Sequence, residues 1–165
     1  MCVYDIMKEL NITLPQPPPE MGMYVLTREF GAKLLYTSGF GPIVNGRPAI
    51  TGKLGKDLSF EQGQEAARIT MLNILSAVHA KTGDLNKVAK VVKLLGFVAC
   101  SDEFYDQPKV MNAASQILAD IFGEKAGIGA RSAIGVNVLP GNIPVEIEVI
   151  FELKPNNGDG SFDCE

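Results

Sequence analysis

The spacing of apolar positions divides this chain into recognisable elements. Val3, Ile6, Met7 and Leu10 recur at helical intervals, which predicts a short amphipathic helix within residues 1–12. Residues 13–20 hold Pro15, Pro17, Pro18 and Pro19 and read as an extended polyproline spacer. Residues 24–43 read as two strands with a turn near 29–33, the second broken by Gly39 and Gly41. Asn45-Gly46 is a hairpin turn signal, so residues 48–51 are expected to return as a short strand. The period then changes to helical over 60–81, with Ser59 and Gln62 spaced as a capping box and Gly83 as the stop. Residues 88–99 are rich in Val and Leu and read as a central strand. A second helix is expected over 108–122, with Pro108 at its first position and Gly123 beyond its end. Residues 131–138 and 145–153 read as two strands of a closing hairpin joined through Pro140-Gly141-Asn142.

This order predicts an α+β fold, a mixed β-sheet with two helices on one face. The organisation is an N-terminal helix and Pro-rich spacer (1–20), a core domain (21–153) and a polar acidic tail (154–165). At 165 residues the chain can bury a core without help from a metal or disulfide. Its net charge of −4 argues against a general nucleic-acid binder, which normally gathers a Lys/Arg surplus. Cys2, Cys100 and Cys164 form no CxxC pair and are expected as free thiols. No uncharged run approaches the length of a membrane helix, and the N-terminus does not resemble a signal peptide, so a soluble cytoplasmic protein is expected.

Several motifs fail on inspection. Gly46 to Lys53 has five residues between its glycines, and Leu54 stands where a phosphate-binding loop has Ser or Thr. Gly39-Phe40-Gly41 and Gly127-Ile128-Gly129 lack the third glycine of a dinucleotide fingerprint, and neither is expected in a βαβ unit. The single histidine, His79, falls in the last turn of the first long helix, where a packing or solvent-facing role is expected. With one histidine, a Ser–His–Asp or Cys–His hydrolase has little support.

The last two strands carry the candidate chemistry. In residues 145–151 the odd positions are apolar and Glu146 and Glu148 point the other way. In residues 131–138 Ile134, Val136 and Val138 are apolar, which places Arg131, Ala133, Gly135 and Asn137 on the opposite face. Paired as a hairpin, Arg131 falls beside Glu152 and Glu146 beside Asn137, so Arg131 and Glu146 lie ~20 Å apart and do not meet within one subunit. The small residues beside those acids suggest packing against another subunit, with a pocket between the two chains. The alternatives are an ordinary strand-end arginine and a solvated acidic face.

Taken together, certain segments resemble the RidA/YjgF family of reactive-imine deaminases. They are Leu35-Tyr36-Thr37-Ser38-Gly39, the turn from Gly83 to Val88, Val110-Met111-Asn112-Ala113, Ala130-Arg131-Ser132, Leu139-Pro140 and Val145-Glu146-Ile147-Glu148. The similarity runs from about Tyr24 to Leu153. It implies a bacterial chorismate-mutase-like fold and a homotrimer with clefts between subunits. It also implies hydrolysis of 2-imino acids such as 2-iminopropanoate or 2-iminobutanoate to 2-oxo acids and ammonia, with no cofactor and no metal. Arg131 matches the carboxylate-binding arginine and Glu146 the acid that positions the attacking water. Ser38 and Gly39 match the strand-end turn beside the ligand, Asn112 a polar cleft residue, and Tyr24, across a one-residue gap, an aromatic lid. Ala133 stands where the family often has Cys, and Phe40 where it commonly has Gln. Those departures keep open a non-catalytic protein that binds small carboxylate metabolites. An endoribonuclease, an activity ascribed to some members, fits the acidic composition less well.

Overall fold

The computed structural model describes residues 2–155. The residues of the expected acidic tail beyond Pro155, including Cys164, lie outside them. In chain order the elements are α1 (Val3–Glu9), β1 (Thr27–Phe30), β2 (Leu34–Thr37), β3 (Ile43–Val44), β4 (Arg47–Pro48), α2 (Phe60–Thr82) and β5 (Val88–Ala99). There follow α3 (Gln107–Phe122), α4 (Glu124–Gly127), β6 (Ala130–Val136) and β7 (Val145–Leu153), with single 3-10 turns at Leu85–Lys87 and Pro140–Asn142. Among the described residues no helix is long and apolar enough to cross a membrane.

Local chemistry sets these boundaries. Ser59 Oγ accepts from the Gln62 N–H at 3.3 Å while the Ser59 N–H donates to Gln62 Oε1 at 2.9 Å, completing the capping box at the start of α2. Gly83 closes α2 in the left-handed region at φ 74°. Asn45 and Gly46, both with positive φ, turn β3 into β4. Asp84 Oδ1 accepts from the Asn86 N–H at 2.8 Å and starts the turn into β5.

One five-stranded sheet, ordered β1-β2-β7-β5-β6, carries α2 and α3 on one face. Leu94 and Val98 of β5 and Ile147, Val149 and Phe151 of β7 point into that layer and are buried against Met71, Ile74 and Leu75 of α2 and Met111, Ile117 and Leu118 of α3. At Gly96 a β-carbon would collide with Met111, so the missing side chain lets α3 lie close on β5. The first helix joins the same core through Val3 and Met7. Tyr4 supports it: its hydroxyl accepts from the Leu85 N–H at 2.8 Å and lies 3.0 Å from His79 Nδ1, giving His79 the packing role expected of it. Cys100 is a buried free thiol, as expected, whereas Cys2 is disulfide-bonded, against the expectation for that residue.

The end of the chain departs from the sequence reading. β6 and β7 do not form a hairpin: β5 lies between them, parallel to β6 and antiparallel to β7. Residues 137–144 cross the end of β5 instead, where the Cys100 N–H donates to Val136 O at 3.3 Å and the Ala99 N–H to Pro144 O at 2.9 Å. The reason is β5 itself, a buried twelve-residue strand whose backbone groups need partners on both edges. The β5–α3–β6 segment is therefore a βαβ crossover, also unexpected, with Gly127 and Gly129 on its helix-to-strand side. Arg131 neighbours Leu94 rather than Glu152, and Glu146 neighbours Phe97 rather than Asn137. Glu152 pairs instead with Lys90 at 3.0 Å.

Candidate functional site

Where β2 runs beside β7, the pairing slips. Tyr36 pairs with Ile150, but Phe40 bridges Ile147 through two 2.9 Å hydrogen bonds. Three residues, Thr37 to Gly39, thus oppose two, Glu148 and Val149, which is a β-bulge. The Thr37 hydroxyl fills the gap by accepting from the Val149 N–H at 2.9 Å. Ser38 is tied to the other side, its N–H donating to Leu26 O at 2.9 Å and its hydroxyl to Val25 O at 2.6 Å. Among the described residues the Gly39 N–H donates no hydrogen bond. Asn73, buried in α2, braces the next stretch by donating to Gly41 O at 3.1 Å and Ile43 O at 2.9 Å.

This bulge forms one wall of a cavity of about 610 Å³. Tyr24, Ser38, Gly39 and Glu146 line it together, with Phe40 and Glu148. Four of the seven residues singled out from the sequence thus share one cavity. The Glu146 side chain lies against Gly39, in space that a β-carbon there would take. Burial, with the neighbouring negative charge of Glu148 second, pushes the Glu146 carboxyl above the usual carboxylate range.

The other three gather elsewhere. The Arg131 guanidinium lies along α3, on the helix side of the sheet. Nη1 donates to Asn112 Oδ1 at 2.9 Å and Ser115 Oγ at 3.0 Å, and Nη2 to Pro108 O at 3.2 Å. Ala133, two residues on in β6, pairs with Gly96 on β5. Desolvation lowers the Arg131 pKa from its usual value, and no carboxylate of the described residues lies within ion-pair distance of it.

These clusters cannot combine within one chain. Glu146 alternates with the core residues Val145 and Ile147 and so points away from the helices, whereas Arg131 points toward them. Two strand spacings and three residues of β5 also separate them, roughly 10 Å in each direction. Arg131 and Glu146 do not meet within the chain, as expected, but they lie closer than the ~20 Å expected along a hairpin, and opposition across the sheet keeps them apart. Among the described residues no group of three or more His, Cys, Asp or Glu side chains is placed to hold a metal ion.

The family model described as "YjgF/chorismate mutase-like, putative endoribonuclease" matches residues 8–153. This chain belongs to that family. A Trypanosoma cruzi protein named TCP17 is 38% identical over 148 residues, covering 90% of this chain and 92% of its own. A crystal structure of an Agrobacterium tumefaciens protein with unknown function is 41% identical with a TM-score of 0.84, over 92% of both chains. A Shewanella oneidensis protein described as a putative endoribonuclease superposes with a TM-score of 0.87 at 26% identity, over 93% of this chain and all of its own. The mixed sheet with its helical layer is thus the YjgF-family fold.

Two features of this YjgF-family chain escaped the sequence reading. Ser115 and the Pro108 carbonyl complete the hold on Arg131. Ser115 lies three residues after Asn112 on α3, a spacing that puts both on one helix face and signals their partnership. Glu148 shares the cavity with Glu146, as their alternation in β7 allows.

Proposed function

We propose that this protein hydrolyses small 2-imino acids to 2-oxo acids and ammonia, in clefts between the subunits of a homotrimer. The observation that carries the reading is the division of the site among the described residues: an acid and a backbone N–H that donates no hydrogen bond in a cavity on one part of the chain, and an arginine without a carboxylate partner on another. Each half supplies what the other lacks. Arg131 of one copy would approach the cavity of the next, its planar fork taking the substrate carboxylate through two charged hydrogen bonds. Asn112, Ser115 and Pro108 hold that fork in place. Ile134 and Val138, 46% and 67% exposed on and just beyond β6, are apolar surface that such packing would cover.

Glu146 is suited to both proton transfers. As carboxylate it takes a proton while a water oxygen bonds to C2 of the protonated imine. It then returns that proton to nitrogen, the C–N bond of the carbinolamine breaks, ammonia leaves, and the hydroxyl proton passes to solvent water as the carbonyl forms, offsetting the proton the imine took up from water beforehand. A carboxyl raised toward neutral pH serves as base and acid in turn. The sum is one imine and one water to one 2-oxo acid and ammonia, with binding and orientation supplying most of the acceleration. A phosphodiester fits this cavity poorly, because two glutamates and an apolar lining repel it.

The test generates a 2-imino acid in situ with an amino-acid oxidase and follows its decay. Wild type should accelerate decay, and Arg131→Ala should lose the acceleration while keeping the wild-type mass in solution. Equal decay with wild type and without protein would overturn the reading.

A further inference from the structure

Residues 16–24 form a strap that contributes one wall of the cavity, and both its ends are fastened. At one end the Pro15 carbonyl accepts from Ser76 Oγ on α2 at 2.5 Å, beyond Ile12 and Leu14 packed on the core. The helix before it is itself docked through Val3, Met7 and Tyr4. At the other end the carbonyls of Val25 and Leu26 accept from Ser38, a residue of the cavity wall. Between these anchors Pro18, Pro19, Met21 and Tyr24 line the cavity. Consecutive prolines are restricted to extended backbone, so the wall is stiff rather than a loose flap.

The strap makes that side of the cavity apolar. Phe40, Ile43 and Ile143 lie in the same lining. The polar groups, Ser38, the Gly39 backbone, Glu146 and Glu148, belong to the bulge and to β7. A 2-iminopropanoate has only a methyl group to offer these apolar walls, whereas the cavity of about 610 Å³ is the size of pockets that hold much larger ligands. Met21 is 67% exposed and Tyr24 44% exposed at the rim, apolar surface that no other described residue covers.

We infer that the strap is a specificity wall that selects 2-imino acids with extended apolar side chains, of the size derived from leucine, methionine or phenylalanine, over those derived from alanine. The inference rests on the deaminase reading and adds the substrate class. The carboxylate and C2 occupy the polar end, and the side chain runs toward Phe40 and the strap. Pro18, Pro19 and Met21 take no part in the chemical step.

The experiment compares rates across imines generated from alanine, leucine, methionine and phenylalanine, for wild type, Met21→Glu and a Pro18→Gly/Pro19→Gly double variant. Wild type should favour the longer apolar imines at least about tenfold in kcat/KM, the discrimination that one or two buried methylenes give. The strap variants should lose most of that preference, their kcat/KM falling further on the leucine-, methionine- and phenylalanine-derived imines than on the alanine-derived one. In parallel, thermal stabilisation by pyruvate and by 4-methyl-2-oxopentanoate reads binding without turnover. Stabilisation by the longer acid in wild type, reduced in the variants, is the expected result. A wild type fastest on the alanine-derived imine overturns the wall while leaving the deaminase standing. No turnover of any imine overturns the deaminase, and the stabilisation series alone then decides the wall. Loss of wild-type mass in Met21→Glu with an unchanged profile in the double variant assigns the strap to the subunit interface instead and overturns the inference.

Discussion

The Glu146 carboxylate lies over the α-carbon of Gly39, in space that a β-carbon at that position would need. The contact exists because the bulge between β2 and β7 carries Gly39 past the strand register and turns its backbone toward the cavity. Gly39→Ala should therefore leave the fold intact and push Glu146 out of place. Displacing a catalytic group by about 1 Å costs up to a hundredfold, so kcat/KM for imine hydrolysis should fall by roughly 10–100-fold. Full activity with a native circular-dichroism spectrum would show that Glu146 needs no such seat.

Glu146 also sets an expected pH dependence. Burial, and then Glu148, raise its carboxyl, so the base form is gained only as pH rises through a value above the ordinary glutamate range. The acid limb of the kcat/KM profile should lie in that raised range. Replacing Glu148 with Gln removes the second cause, so the limb should move to lower pH. The linkage to stability has the opposite benefit: the folded state holds this proton more tightly than the unfolded chain, so stability falls as pH rises from the unfolded to the folded pKa. Glu146→Gln should flatten that part of the stability curve. An acid limb that does not respond to Glu148→Gln would assign it to another group.

Much of this fold is legible in local sequence signals. The capping box at Ser59, the Asn45-Gly46 turn and the Gly83 stop depend on neighbours a few residues away, and each is present as read. Strand pairing is different. The eight residues between β6 and β7 are too long for the tightest hairpins but do not say what they cross. β5 takes the space between those strands because its own two edges need partners, a fact about residues some 40 positions upstream. The same non-local event turned Arg131 toward α3. Its alternation in β6 is correct, but the side of the sheet that bears the helices lies under Ala133 and Gly135 rather than Ile134 and Val136. The apolar residues of β6 consequently face outward, and periodicity alone cannot distinguish surface that a helix buries from surface that a second chain would bury.

The support beneath Arg131 makes a prediction of its own. Asn112 and Ser115 both accept from Nη1. Ser115→Ala removes one of the two and should raise KM about threefold to tenfold through looser aim of the guanidinium, with a smaller change in kcat. Asn112→Ala should act in the same sense, and the double variant should approach Arg131→Ala in its loss of carboxylate binding. Titration with a 2-oxo acid measures that loss without turnover. An unchanged affinity in the double variant would mean that Arg131 aims itself.

The Ser59 cap gives an independent check on stability. Both reciprocal bonds of the box sit at the exposed start of α2, away from the cavity. Ser59→Ala should cost about 1 kcal/mol, which corresponds to a fall of roughly 2–4 °C in Tm for a chain of this size. Activity at 25 °C should be unchanged. A larger fall, or a loss of activity, would mean that the start of α2 communicates with the site.

The division of the site between Arg131 and Glu146 permits the most direct test. On the proposed arrangement an Arg131→Ala chain still carries a sound Glu146 cavity, and a Glu146→Gln chain still carries a sound arginine. Each variant alone should be inactive. Refolded together, their subunits should mix, and about a quarter of the clefts should receive the intact arginine from one chain and the intact acid from the other. Activity should therefore return to about a quarter of wild type on a per-site basis, and it should not return when the folded variants are mixed without exchange of subunits. A chain that carried a complete site within itself would show no recovery under any mixing regime. The same experiment with the double variant Arg131→Ala/Glu146→Gln and wild type sharpens the result. Such a mixture at equal proportions should also retain about a quarter of its clefts, because an intact cleft then needs two neighbouring wild-type chains, whereas independent sites would retain half.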